Sequence, residues 1–158
     1  MKKLLMLSML LLLALVGCGK PTNMTELLNY KGSYVGDNSA VGNIIERLPA
    51  HEYLDGFELQ TSQEPYEITI NYKPFDEATV ELEDGSTSKA SLNEILQGNS
   101  MLILSLVKNA EIVNFKIGDQ ETITFDRATL SDNYGNNLDS IAEDVSSLQN
   151  FMKTYTVK

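Results

Sequence analysis

The chain has 158 residues, of which 12 are Lys or Arg and 22 are Asp or Glu, giving a net charge of −10. This acidity argues against binding nucleic acid through a basic patch. A single cysteine excludes an intramolecular disulfide, and one histidine plus one cysteine are too few ligands for a zinc site.

The N-terminus has the layout of a bacterial lipoprotein signal peptide. Two lysines open it, an apolar run covers residues 4–16, and the four residues ending in Cys18 resemble a lipobox. The apolar run is shorter than the roughly 20 residues that a membrane-spanning helix needs. We therefore predict a signal peptide over residues 1–17, followed by a diacylglyceryl lipid with palmitate-type chains on Cys18. Such a lipid would hold the protein at the extracytoplasmic face of the cell membrane.

The rest of the chain is predicted to be one α+β domain over residues 26–158, joined to the lipidated cysteine by a short polar tether over residues 18–25. A chain of this length can bury a core without disulfides. Without its two N-terminal lysines the net charge of −10 becomes −12. Anionic headgroups would repel such a domain, so membrane attachment would depend on the lipid.

Helical and strand patterns follow one another along this domain. The first half is predicted to contain a helical turn over 26–30, a Gly/Tyr-rich loop to 39, a helix over 41–48 and a hairpin of strands over 57–61 and 66–73. A weaker strand over 79–83, a loop over 86–90 and a helical piece ending near Gly98 follow. The last part is predicted to contain a buried helix over 101–108 capped by Asn99, a second hairpin over 113–125 and a last helix over 138–152. The two hairpins predict one antiparallel sheet with helices packed on one face.

The loop that precedes the first long helix is the predicted contact surface. Its two tyrosines each carry a ring and a hydroxyl group, and its glycines allow close backbone approach. The same residues would also serve packing, turns and helix capping in a purely structural loop, so both interpretations stay open. The candidate contact residues for a small ligand or an envelope protein are Tyr30, Tyr34, Gly36, Asp37 and Asn38.

No catalytic or metal-binding pattern is complete in the sequence. His51, the single histidine, lies in a polar segment and is interpreted as an exposed structural residue. Acylation of Cys18 would consume the only thiol nucleophile. Residues 132–143 have acids at the first and last positions of an EF-hand loop but lack its central glycine, so a helix-capping loop is the favoured interpretation. We predict no catalytic residue, no metal and no cofactor.

Residues spread over 26–150 match the pattern of a known family. The most specific part is the opening motif, Tyr30-x-Gly32-x-Tyr34-x-Gly36-Asp37-Asn38-Ser39-x-Val41-x-Asn43-Ile44, ending in Leu48-Pro49. Weaker matches are Pro65–Tyr72, Asn99–Asn109, Ile112–Ile117, Arg127 and Tyr134-Gly135. Together they resemble an uncharacterised extracytoplasmic domain family of Gram-positive lipoproteins and membrane sensor proteins. The resemblance implies a domain used near sensing or envelope-stress machinery, and it implies no catalytic residue.

The favoured prediction is a non-enzymatic, lipid-anchored binding or sensor-type module at the cell envelope. Carboxylates are numerous, so an envelope hydrolase that uses a carboxylate pair stays an alternative. A purely structural envelope component is a third possibility.

Overall fold

The computed structural model describes residues 24–82, 84–135 and 137–154. The signal peptide predicted over 1–17, the lipid site Cys18 and most of the tether lie outside these residues. The tether's last two residues, Met24 and Thr25, open the first helix. Among the described helices, none combines the length and apolar character needed to cross a membrane.

The described chain contains both helices and strands. In chain order the elements are a 3₁₀ helix Met24–Tyr30, α1 Asn38–Ile45, a 3₁₀ turn His51–Tyr53, β1 Leu54–Gln60, β2 Glu67–Tyr72, β3 Glu77–Glu81, β4 Thr87–Ser91, α2 Leu92–Leu106, β5 Ile112–Ile117, β6 Ile123–Asp126, α3 Arg127–Asn133, a 3₁₀ helix Leu138–Ala142 and α4 Val145–Thr154. The predicted α+β class is confirmed, with two sheets in place of one.

The main sheet has the strand order β1-β2-β5-β6. Its two hairpins, β1–β2 and β5–β6, are antiparallel as predicted. The two hairpins meet through β2 and β5, which run parallel, with Ile70 opposite Phe115. The prediction of a wholly antiparallel sheet is therefore wrong. A parallel pair needs a long crossover, and residues 73–111, which include α2, supply it.

One face of the main sheet forms part of the core, and the other face is polar. Along β5, Val113, Phe115 and Ile117 are buried in the same cluster as the apolar side of α2. Asn114 and Lys116, which alternate with them, are respectively half-buried and exposed. This alternation is the sequence signal that identified the strand correctly.

The strands β3 and β4 form a separate antiparallel pair, in which Val80 lies opposite Ser88. The predicted strand over 79–83 is thus present but begins at Glu77. The predicted loop over 86–90 is wrong, because residues 87–90 belong to the partner strand. Of that strand only Ala90 is buried, so no apolar alternation marks it in the sequence.

One continuous helix, α2, replaces the two helices predicted over 92–96 and 101–108. Gly98 and Asn99 lie buried inside it, so neither ends nor caps a helix. A glycine costs a helix about 1 kcal/mol, which is small beside the burial of the apolar residues that follow it. Ser91 is the N-cap residue of α2. It forms a capping box with Glu94, whose Oε2 accepts a hydrogen bond from Ser91 N at 2.8 Å.

Arg127 closes the other end of α2. Its Nη2 donates to the carbonyl oxygens of Leu104 at 2.8 Å and Val107 at 3.0 Å. Its Nε donates to the carbonyl oxygen of Ala110 at 2.8 Å. All three acceptor residues are fully buried, so these carbonyls depend on a partner from the protein. The guanidinium charge also opposes the negative end of the helix dipole.

The helix predicted over 138–152 is interrupted. The 3₁₀ helix ends at Ala142, and α4 begins at Val145, where the Asp144 carboxylate accepts from Ser147 N at 2.8 Å. This hydrogen bond lowers the pKa of Asp144 from its ordinary value. Both helices bury apolar residues in the same core. The spacing of these residues along the sequence is therefore helical throughout, although the helix itself is interrupted.

We predict that Arg127→Ala lowers the free energy of unfolding by about 3 kcal/mol, because three buried carbonyls lose a charged donor. Arg127→Lys should recover less than half of that loss, since an ammonium lacks the forked geometry. Urea denaturation of the full chain measures both. Lys116→Ala is the matched control, because its exposed ion pair with Glu58 should be worth less than about 1 kcal/mol. A loss at Arg127→Ala no larger than in this control would contradict the assignment.

Candidate functional site

The predicted contact loop, residues 30–38, is docked on the C-terminal end of α2. Gly32 N donates to the Leu106 carbonyl at 2.8 Å, and Lys108 N donates to the Ser33 carbonyl at 3.0 Å. Gly32 has φ +81°, a backbone conformation that residues with a Cβ rarely adopt. The loop backbone is therefore fixed against the helix.

Two of the five candidate contact residues make structural contacts through their side chains. Asp37 is the N-cap of α1, with its Oδ1 accepting from Ala40 N at 2.9 Å. Tyr30 is half-buried, and the Arg47 guanidinium carbon lies 5.6 Å from its ring centroid. A third candidate, Asn38, is the exposed first residue of α1, so the capping role considered for it belongs to Asp37.

Tyr34 is the most exposed large apolar side chain of the described residues, at 52%. The Nζ of Lys108 lies 4.0 Å from the centroid of its ring, a cation–π contact. Gly36, two residues along, is also exposed, with no atom close to the position a Cβ would take. We call Tyr34 and Lys108 together the Tyr34–Lys108 patch. It combines an aromatic face, a hydroxyl group and an ammonium group on a backbone that is fixed.

A second feature is a cavity of about 420 Å³, which we call the His51 cavity. Its volume lies within the range of small-ligand sites. It is lined by Arg47, Leu48, Pro49, Ala50, His51, Glu52, Thr79, Val80, Glu81, Thr87 and Met152.

His51, predicted to be an exposed structural residue, has a side chain that is 47% exposed but also lines this cavity. Its Nδ1 lies 3.2 Å from the Leu48 carbonyl oxygen, which can only accept. On the neutral ring Nδ1 therefore carries the proton, and Nε2 is left as an acceptor. The sequence shows a polar residue here but not the cavity, because the opposite wall comes from β3 and β4.

The turn that carries His51 is held by a hydrogen bond from the buried side chain of Asn99. Ala50 has φ +67°, the left-handed region. The preceding carbonyl, that of Pro49, accepts from Asn99 Nδ2 at 3.0 Å, and the same nitrogen lies 3.3 Å from the Tyr72 hydroxyl oxygen. Burial raises the pKa of Tyr72, so its hydroxyl stays protonated. Such a buried network fixes a backbone conformation that is otherwise unfavourable.

A smaller cavity of about 270 Å³ lies where α2, α3 and α4 meet. It is lined by Glu94, Gln97, Gly98, Met101, Leu130, Asn133, Tyr134, Phe151 and Thr154.

No group of three His, Cys, Asp or Glu side chains within residues 24–82, 84–135 and 137–154 is placed to hold a metal ion. In the EF-hand-like segment, Asn137 Oδ1 accepts from Ser140 N at 3.2 Å and caps the 3₁₀ helix. The segment thus caps the 3₁₀ helix, whereas the start of the last helix, α4, is capped by Asp144.

Sequence comparison identifies the family. The profile of a domain of unknown function (DUF4825) matches residues 27–128. The chain belongs to this family. The DUF4825 match runs from the first 3₁₀ helix into α3, and so includes the contact loop, both sheets, α2 and Arg127. It confirms the resemblance to a family of unknown function, over a shorter range than the predicted 26–150. No curated protein and no solved structure matches the chain significantly.

Two residues that shape these features have roles that the sequence does not predict. Its pattern places Lys108 at the end of a helix and Asn99 at a helix cap. Locally, the sequence shows only that Lys108 ends an apolar run and that Asn99 lies beside an apolar run. Neither observation identifies the residue that the side chain contacts. Tyr34 and Pro49, the partners, are far away along the chain.

We predict that Asn99→Leu lowers the free energy of unfolding by about 3 kcal/mol, since it leaves the Pro49 carbonyl and the Tyr72 hydroxyl without this donor. The amide resonances of residues 49–52 should also shift, because the turn relaxes. Ser100→Ala is the control, as its buried hydroxyl donates to the Leu96 carbonyl of its own helix. Unchanged resonances at 49–52 in Asn99→Leu would show that Asn99 does not hold the turn.

Proposed function

We propose that this DUF4825 protein is a lipid-anchored extracytoplasmic binding or sensor-type module of the cell envelope. Its contact surface is the Tyr34–Lys108 patch, which binds an envelope protein or a small ligand. The observation that supports this proposal most strongly is a half-exposed tyrosine ring on a backbone fixed to a buried helix.

The anchor is the first element of the proposal. The lipobox-like residues ending at Cys18 would receive two acyl chains on a diacylglyceryl group, and each buried methylene contributes about 0.8 kcal/mol. Two chains can hold a domain that carries a net charge of −12 once the two N-terminal lysines are removed from the chain's −10. Because the predicted tether over residues 18–25 is short, the lipid would keep the domain close to the bilayer.

The contact surface is the second element. Exposed tyrosines are enriched at binding hot spots because they bring a large amphipathic area at low entropic cost. Here the loop is already ordered by its bonds to Leu106 and Lys108, so binding would not have to order it. The ammonium of Lys108 beside the ring favours a partner group that is anionic or accepts hydrogen bonds.

The hydrolase alternative has one observation in its favour, since Glu52 and Glu81 line the same cavity. Incubating the purified protein with peptidoglycan tests it directly. Release of fragments that is abolished by Glu81→Gln would replace the binding proposal with catalysis.

We predict that Cys18→Ala moves the protein from the membrane fraction to the soluble fraction, because the acylated sulfur is lost. Metabolic labelling with an alkyne fatty acid should be lost in the same variant. Cys18→Ser serves as a second variant with the same expected result. Membrane association and label that survive both substitutions would contradict lipid anchoring.

We predict that a photo-crosslinking amino acid at Asn38 forms adducts in cells that depend on the tyrosine of the patch. Tyr34→Ala should remove most of the adduct, and Lys108→Ala should weaken it. Tyr134→Ala is the matched control, because this tyrosine is also exposed, at 37%, but lies at the other end of the domain's sequence. Adducts of equal yield in Tyr34→Ala and in the control would contradict a contact role for the patch.

A further inference from the structure

The His51 cavity has charged groups of both signs on two separate segments. Arg47 and Glu52 come from the segment between α1 and β1, while Glu81 ends β3. Among the described residues, Glu52 Oε2 lies 3.8 Å from His51 Nδ1, which is an ion pair only when the ring is protonated, and Glu81 makes no ion pair. Neither carboxylate pairs with a described lysine or arginine, so both can accept an ammonium group from a ligand.

Arg47 retains unused donor capacity. Its Nη1 donates to the Asn43 carbonyl at 2.9 Å and to Asn43 Oδ1 at 3.1 Å, and its Nε lies 3.3 Å from Glu26 Oε2. Within the described chain Nη2 makes no hydrogen bond. The Glu26 contact is a partly exposed ion pair, which compensates the guanidinium charge only weakly. A ligand carboxylate is the group that a free guanidinium edge recognises best.

The rest of the lining sets the size and polarity of an occupant. Leu48, Ala50, Val80 and Met152 are buried residues that line the same cavity. A volume of about 420 Å³ suits a small molecule with a short apolar body. A bare cation would make no use of the remaining Arg47 donors, and a simple anion would face two glutamates.

We infer that the His51 cavity binds a zwitterionic amino acid or short peptide, with its ammonium toward Glu52 and Glu81 and its carboxylate toward Arg47. The Nε2 of His51 provides one more acceptor for the ammonium. This site uses none of the residues of the Tyr34–Lys108 patch. Ligand binding in the cavity can therefore be tested independently of the proposed contact surface.

The test is amide chemical-shift mapping on the full chain in detergent, titrated with alanyl-alanine, alanyl-leucine and alanyl-lysine. Shifts should concentrate at residues 47–52, 79–81 and 87. N-acetylated and C-amidated forms of the same dipeptides should each bind about tenfold more weakly, since each lacks one charge. Glycinamide, which has an ammonium but no carboxylate, should not compete with them.

Variants separate binding from folding. Glu81→Gln should weaken dipeptide binding about tenfold while leaving the spectrum otherwise unchanged, because Glu81 is exposed on its strand. Glu46→Gln is the matched control, as it removes the same charge beside Arg47 from an exposed residue outside the cavity. Tyr34→Ala should leave dipeptide binding unchanged even if it abolishes partner contact. The inference is overturned if none of the three dipeptides perturbs the lining amides, or if the capped forms bind equally well.

Discussion

The burial of α2 determines how distant parts of the fold must be arranged. Eleven of its 15 residues are buried, including every position from Gly98 to Leu106. A helix enclosed in this way cannot rely on water to satisfy its terminal carbonyls or its polar side chains. The fold therefore brings donors from distant parts of the chain, with Arg127 and Gly32 at the C-terminal end. In the middle of the helix, Asn99 is itself buried and donates outward.

These hydrogen bonds position both candidate binding surfaces, the Tyr34–Lys108 patch and the His51 cavity. The backbone of residues 30–38 is held because Gly32 bonds to the helix end and Lys108 bonds to the loop, and this keeps Tyr34 in an exposed position. The turn at Ala50 keeps its left-handed conformation above Asn99, and this places His51 at the cavity. The same helix thus fixes two surfaces of different chemistry. One is an aromatic patch beside an ammonium group, and the other is a cavity with charges of both signs. A binding module needs this kind of preorganisation more than it needs a reactive group.

The elements that the sequence predicted well are those whose burial is periodic. β2 and β5 alternate buried and polar residues, and α1 places Val41, Ile44 and Ile45 on one face. Features decided by contacts between distant residues were missed or misassigned. The β4 strand has one buried residue and no pattern, and the parallel pairing of β2 with β5 depends on the path of the crossover. Gly98 and Asn99 have poor local helix propensity, which tertiary burial overrides. In the site, the cap at Asp37 was readable from local spacing, whereas the contact between Tyr34 and Lys108 was not.

Native-state hydrogen exchange on the full chain can establish whether α2 fixes the contact loop. The amides to compare are those of Gly32 and Lys108, which join the loop to the helix, and that of Val107, which bonds the Ile103 carbonyl at the helix end. If the loop belongs to the cooperative core, all three should exchange with one opening free energy and respond equally to added denaturant. Exchange of Gly32 and Lys108 through a local opening, while Val107 stays protected, would contradict this dependence of the loop on the helix. The loop would then be a mobile surface segment and not a preorganised one.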